Sequence, residues 1–164
     1  MLYIAICDNM SNIVNTIKKY LLDYQKKTSC KIEIDCYLRG EDLCDSSVTY
    51  DIVFLGLKMK DMDGIVTARL LRNIHKGTQI IYIADHSRYA VKAFEAHPFY
   101  FIVWPATVGV IFKVMNEFIE YYNPNCNIIE FKSTNGPLLL DQTNIYLFEY
   151  IGNRRVAVFT QDKK

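Results

Sequence analysis

Asp8 closes the first apolar run of the chain, "LYIAIC", and Asn9 follows it. A carboxylate at the C-terminal end of a buried strand is well placed to act on a ligand, because chemistry in parallel α/β sheets collects at that end. A later run, "YDIVFL", reaches the same kind of end at Gly56, which has no side chain, and then enters the acidic loop "KMKDMDG". The next run, "TQIIYIA", ends on Ala84, and "FYFIV" ends on Trp104-Pro105. Strand ends able to present a nucleophile therefore offer one carboxylate, one amide, a bare backbone, a methyl group and an indole. Asp61 and Asp63 lie in the loop beyond Gly56. They read as a solvated loop carboxylate and as a turn or helix-capping residue before Gly64.

The remaining reactive side chains show no pattern. His75, His86 and His97 are scattered without ligand spacing and take surface or structural roles. Cys7, Cys30, Cys36, Cys44 and Cys126 are odd in number and form no CxxC pair, which argues against a zinc site and a secreted disulfide framework. They read as small buried hydrophobes in a reducing cytosol. The 19 basic and 18 acidic residues divide evenly, 14 and 14 up to Tyr122 and 5 and 4 after it. No strongly basic segment provides a broad footprint for nucleic acid. No signal peptide and no apolar run of ~18 residues is present, so no membrane partner is expected, and the chain is expected to be soluble and cytoplasmic.

The elements that must position these residues follow a repeating order. "LYIAIC" is a continuous apolar run, as expected of a strand covered on both faces. Asn9 to Ser11 supply capping side chains for a helix carrying Ile13, Ile17, Tyr20, Leu21 and Tyr24 at helical spacing. "KIEIDCY" places Ile32, Ile34 and Cys36 on one face of a half-covered strand. A short polar helix around Glu41–Asp45 precedes "YDIVFL". A helix from about Gly64 to His75 then carries a stripe of Ile65, Ala68, Leu71 and Ile74. "TQIIYIA", the amphipathic helix "SRYAVKAFEA", "FYFIV" and a helix from Val108 to Tyr122 complete the series. Five rounds of strand then helix predict a doubly wound, five-stranded parallel sheet of the α/β class. After "YYNPNCN" the pattern changes to short strands, "IIEFKS", "GPLLLD", "NIYLFEY" and "RRVAVFT", joined by turns. This predicts a short antiparallel β segment too small to be stable alone.

In order along the chain, "IAICDN", "DIVFLGLKMKDMDGIVTARLLR" and "IIYIADHSRYAVKAFEAHPFYFIVWP" resemble response-regulator receiver domains of the flavodoxin-like (CheY-like) fold. "IIEFKSTNGPLLLDQTNIYLFEYIGNRRVAVFT" is similar, more thinly, to a LytTR-type DNA-binding domain of the AgrA-like kind. The resemblance implies a receiver domain over 1–122, a linker over 123–127 and a partial LytTR segment over 128–164. It implies an aspartate that accepts a phosphoryl group, an acidic pair that binds Mg²⁺, and a hydroxyl and a lysine that read the phosphoryl group. Here the acceptor position is Gly56, the hydroxyl position Ala84, the lysine position Trp104 and the second acidic position Asn9, and only Asp8 keeps the family's residue. The expectation is a degenerate phospho-acceptor site with no catalytic residue, no cofactor, and weak or absent Mg²⁺ binding. The indole of Trp104 is expected to pack over Gly56 and plug the old pocket.

The resemblance also assigns Phe101 the switch-aromatic position and implies dimerisation through the fourth helix, fifth strand and fifth helix. Tyr89, Phe94, Phe99 and Tyr100 are candidate anchors there for a homodimer or for a heterodimer with another regulator. In "GNRR", Arg154 and Arg155 correspond to a DNA contact loop or form a solvated hairpin turn. DNA binding is expected only through a complete LytTR domain. The expected function is a pseudo-receiver, phosphorylation-independent transcriptional regulator. The alternative is a stand-alone interaction module that sequesters a partner regulator or kinase.

Overall fold

The computed structural model describes residues 1–28, 30–60, 62–94, 96–122, 128–133, 136–141, 145–152 and 155–160, with the side chains of 92 and of most residues after 127 left aside. The chain divides into two compact units, Met1–Val114 and Met115–Lys164, and one helix runs across the division.

In the first unit the expected alternation is present as β1 (Leu2–Cys7), α1 (Ser11–Lys27), β2 (Ile32–Tyr37), α2 (Gly40–Cys44), β3 (Ile52–Gly56), α3 (Gly64–Ile74), β4 (Gln79–Ala84), α4 (Ala90–Phe94), β5 (Tyr100–Val103) and α5 (Val108–Tyr122). All five strands are parallel, in the order β2-β1-β3-β4-β5. Every residue of β3 is buried, and β4 is buried from Ile80 to Ala84, as continuous apolar runs require when helices cover both faces. Each fully buried Ile, Leu or Phe side chain, such as Ile4, Leu55 or Phe54, contributes about 1.5–3 kcal/mol.

The end of the sheet where the strands begin is stitched by side chains as well as backbone. Tyr3 N–H donates to Asp51 Oδ2 at 2.8 Å, while Asp51 N–H donates to the Tyr3 carbonyl at 2.9 Å. Thr78 Oγ1 donates to the Tyr50 carbonyl at 2.7 Å, and Gln79 N–H donates to the Asp51 carbonyl at 2.9 Å. These bonds set the starting register of β1, β3 and β4.

Four expectations need correction. Cys36 is exposed: β2 is the edge strand, and its inward face fades from buried Ile32 through half-buried Ile34. Ile74 is exposed at the end of α3, and Thr67 is buried with Ile65, Ala68 and Leu71. The fourth helix is shorter than its amphipathic pattern, a 3-10 turn over Ser87–Tyr89 followed by five α-helical residues. The N-cap of α1 is Met10, with no side-chain cap. The Asp8 carboxylate binds the Met10 N–H and fixes that turn, leaving Ser11 as the first helical residue.

In the second unit, β6 (Ile128–Ser133) pairs antiparallel with β7 (Gly136–Asp141), and β8 (Ile145–Gly152) pairs antiparallel with β9 (Arg155–Thr160). The β8–β9 ladder shifts register between Ile145 and Leu147 and between Tyr150 and Gly152. The short antiparallel β segment is therefore present as two hairpin-like pairs.

Candidate functional site

Parallel strands in register bring their C-terminal ends to one rim. Cys7 pairs with Leu55, Gly56 with Ile83, and Ala84 with Val103. Asp8, Gly56, Ala84 and Trp104 are thereby gathered, and the ladder continues past the strands through Leu57 N–H to Ile83 O and Trp104 N–H to Ala84 O.

Asp8 is only 5% exposed. Its Oδ1 accepts the Met10 N–H at 2.8 Å. Its Oδ2 occupies the space above Gly56, 2.3 Å from where a Cβ at that residue would lie. Among the described residues no donor reaches Oδ2. Burial raises the carboxyl pKa above the ordinary aspartate value, and the Met10 N–H partly offsets this. Cys7, one residue earlier, is pushed up to about 12, first by burial and then by the neighbouring Asp8 charge. Its thiol points at the Met59 sulfur, 3.7 Å away.

A cleft of about 420 Å³ opens beside Asp8. Met10, Ile13, Ile83, Ala84 and Trp104 form its apolar walls, and Asp8, Asn9, Lys58 and Asp85 its polar ones. The expected plug is absent: Trp104 is half-buried and stands on the wall of the cleft, which stays open. Strand order explains this. Neighbouring strands are about 4.8 Å apart, and β5 lies two strands from β3, whereas β1 lies beside it. Asp8 is the nearer side chain and takes the space over Gly56.

Sequence reasoning missed Lys58, Asp85, Met10 and Ile13. Lys58 sits two residues past Gly56, where alternation out of a strand returns a side chain to the same rim; that was the available signal. Its Nζ lies 4.5 Å from the centre of the Tyr89 ring. Arg88 flanks the same ring at 4.9 Å, and its Nη2 donates to Tyr89 Oη at 2.9 Å. Hydrogen bonds from Lys58 and then Arg88 lower the Tyr89 pKa.

The magnesium that the resemblance implies does not fit these residues. Gly56 has no oxygen to give beyond its backbone, Asn9 is an amide, and Asp85 is exposed. Among the described residues no three His, Cys, Asp or Glu side chains form a group able to hold a metal. Asp63 caps α3, accepting the Ile65 N–H at 2.8 Å; Asp61 lies outside the described residues. The acidic loop closes tightly, because a Cβ at Gly64 would fall 2.2 Å from the Gly56 carbonyl oxygen and 2.9 Å from Leu57 Cα.

Phe101 is half-buried and packs, with Tyr89, against the core cluster containing Ala84 and Ala93. Of the four candidate interface aromatics, Phe94 is 62% exposed, while Tyr89, Phe99 and Tyr100 are half-buried. Exposed aliphatic residues on the same elements, Val91 (81%), Val103 and Val108, escaped the sequence reading. Arg154 and Cys126 lie outside the described residues, and Arg155 is described only as the first residue of β9. Among the described residues no helix is long and apolar enough to cross a membrane.

Residues 4–116 match the response regulator receiver domain family. The chain is 32% identical over 84 residues to the sensory transduction protein LytR of Staphylococcus haemolyticus, covering 51% of this chain and 32% of that protein. It is 32% identical over 88 residues to the sensory transduction protein LytT of Bacillus cereus, covering 53% of this chain and 35% of that protein. The matches thus span about a third of each relative's length. The response regulator DrrB of Thermotoga maritima, an OmpR/PhoB homologue, superposes with a TM-score of 0.65 at 22% identity, over 90% of this chain and 67% of that one. This last likeness concerns the fold.

Proposed function

Since this chain belongs to the response regulator receiver domain family of two-component signalling, we propose that it is a phosphorylation-independent member that acts through protein–protein contacts. One observation carries this reading: the acceptor position is Gly56, and the Asp8 carboxylate fills the space a side chain there would need. A glycine has no atom to accept a phosphoryl group, and the magnesium that neutralises such a transfer lacks its ligands.

The LytTR part of the proposal draws support from the likeness to LytR and LytT and from the two antiparallel strand pairs after α5. Its division is a receiver over 1–122, a linker over 123–127 and a LytTR-type segment over 128–164. Exposed Val91, Phe94, Val103 and Val108 supply apolar contact surface on the elements that would dimerise. The same residues favour a second reading, in which the chain sequesters a partner regulator without binding DNA.

Intact-protein mass spectrometry after incubation with acetyl phosphate and Mg²⁺ tests the first claim. The expected mass is unchanged; a phosphoryl increment overturns it. A DNA mobility-shift assay on this chain beside a version carrying a complete LytTR domain divides the two readings: a shift from the complete version supports regulation at DNA, and no shift from either supports sequestration.

A further inference from the structure

We propose that a buried water molecule bridges Tyr82 Oη and Arg72 Nε and so ties the centre of the sheet to the turn between α4 and β5. Tyr82 lies on β4 and is fully buried, and among the described residues its hydroxyl has no hydrogen-bond partner. Arg72 Nε, on α3, is likewise buried and unpartnered. Among the described residues these are the two buried side-chain atoms left in that condition. A desolvated polar group without a partner is costly, so two in one place call for a shared explanation.

Both atoms belong to the same gap between elements. Tyr82 packs in a core cluster with Ala68 and Leu71 of α3, Ala93 of α4 and Ala96 just beyond it. Arg72 follows Leu71 and spans the same elements, because its Nη2 donates to the His97 carbonyl. Burial raises the Tyr82 pKa, and the Arg72 charge is the strongest influence in the opposite direction. The two groups thus sense each other without bonding directly, the situation in which a water fits between. Ala68, Ala93 and Ala96 bring only methyl groups to the gap, which leaves room for it. The Arg72 Nε–H can donate to the water, and the Tyr82 hydroxyl can donate or accept, so the water has polar partners on both sides. Beyond Arg72 the bonds reach His97, whose φ of 48° marks the turn into β5. The bridge therefore helps to hold the backbone that presents Phe99 and Tyr100.

Tyr82→Phe in urea unfolding tests the bridge by the sign of its effect. Removing a buried hydroxyl that has no partner leaves stability equal or higher, whereas removing one that holds a water should raise the unfolding equilibrium constant roughly fivefold. Arg72→Met and the double variant complete a cycle, in which the two losses should sum to more than the double variant shows. In the unaltered, ¹⁵N-labelled protein, a rotating-frame cross-peak of nuclear Overhauser sign from the Arg72 Nε–H to water is expected, and it requires no substitution. Hydrogen exchange of the His97 amide, which donates to the Phe94 carbonyl, should quicken in Tyr82→Phe, while the Trp104 amide, bonded to the Ala84 carbonyl, should not. A neutral or more stable Tyr82→Phe overturns the proposal. Additive losses in the cycle, a missing water cross-peak, or equal quickening at both amides does so as well.

Discussion

Gly56→Asp, the substitution that would restore an acceptor, is expected to destabilise the fold. Any Cβ at residue 56 falls 2.3 Å from Asp8 Oδ2 and 2.8 Å from its Cγ, so the Asp8 side chain must swing away. Doing so gives up the bond from the Met10 N–H, which is worth about 1 kcal/mol. The new carboxylate then stands beside Asp8. Two unit charges about 4 Å apart repel by about 4 kcal/mol at an effective dielectric constant near 20. The total, on the order of 3–5 kcal/mol, is a large share of the 5–15 kcal/mol typical of a folded domain.

The electrostatic part of that loss depends on pH. Asp8 already has its folded-state pKa raised by burial, and a like charge raises both carboxyls further. A carboxyl whose folded pKa exceeds its unfolded value favours the folded state below the ordinary aspartate pKa, and that advantage is lost as pH rises through the folded pKa. The deficit of Gly56→Asp should therefore be small near pH 4 and largest at neutral pH. Urea unfolding followed by circular dichroism, on Gly56→Asp, Gly56→Ala and the Asp8→Asn/Gly56→Asp double variant, separates the parts. Alanine reports the steric loss alone, and the double variant should recover most of the difference between aspartate and alanine. If aspartate and alanine at residue 56 agree within about 0.5 kcal/mol at neutral pH, Asp8 does not occupy that space as a charge, and the reasoning fails.

Four further outcomes are expected. Alkylation of the native protein by iodoacetamide near pH 8, mapped by peptide mass, should label exposed Cys36 long before Cys7, whose pKa of about 12 leaves almost no thiolate; equal rates would contradict this. Gly64→Ala should cost about 1–3 kcal/mol in urea unfolding because its Cβ meets backbone. Gly77→Ala, with nothing within 4 Å, should gain about 0.4–1 kcal/mol. Asp63→Ala should lower stability by about 1 kcal/mol through loss of the α3 cap, with Asp63→Asn recovering most of it.

The parallel sheet was legible because a strand covered on both faces must be apolar at every residue. "IVFLG" and "QIIYIA" meet that condition, and their order with the intervening helices restricts the topology. The site was legible as a set of positions, since the C-terminal ends of parallel strands converge whatever side chains they carry. What each side chain does there depends on strand adjacency, which periodicity does not reveal. Asp8 covers Gly56 because β1 neighbours β3, and Trp104 stands on the cleft wall because β4 intervenes. Cys36 misled for a related reason, because alternation marks a face without showing how far along an edge strand its cover extends.

The bonds joining Tyr3, Tyr50, Asp51, Thr78 and Gln79 lie at the opposite end of the strands from Asp8. Alignment of the sheet is thus secured by groups that take no part in anything at the rim. Exposed side chains on the cleft wall, such as Lys58 and Asp85, can be replaced without disturbing that seam, whereas Gly56 beneath Asp8 is held by packing. Mutational tolerance is therefore uneven along every strand. The rim beside Asp8 has room to acquire new binding habits, while the seam around Asp51 does not.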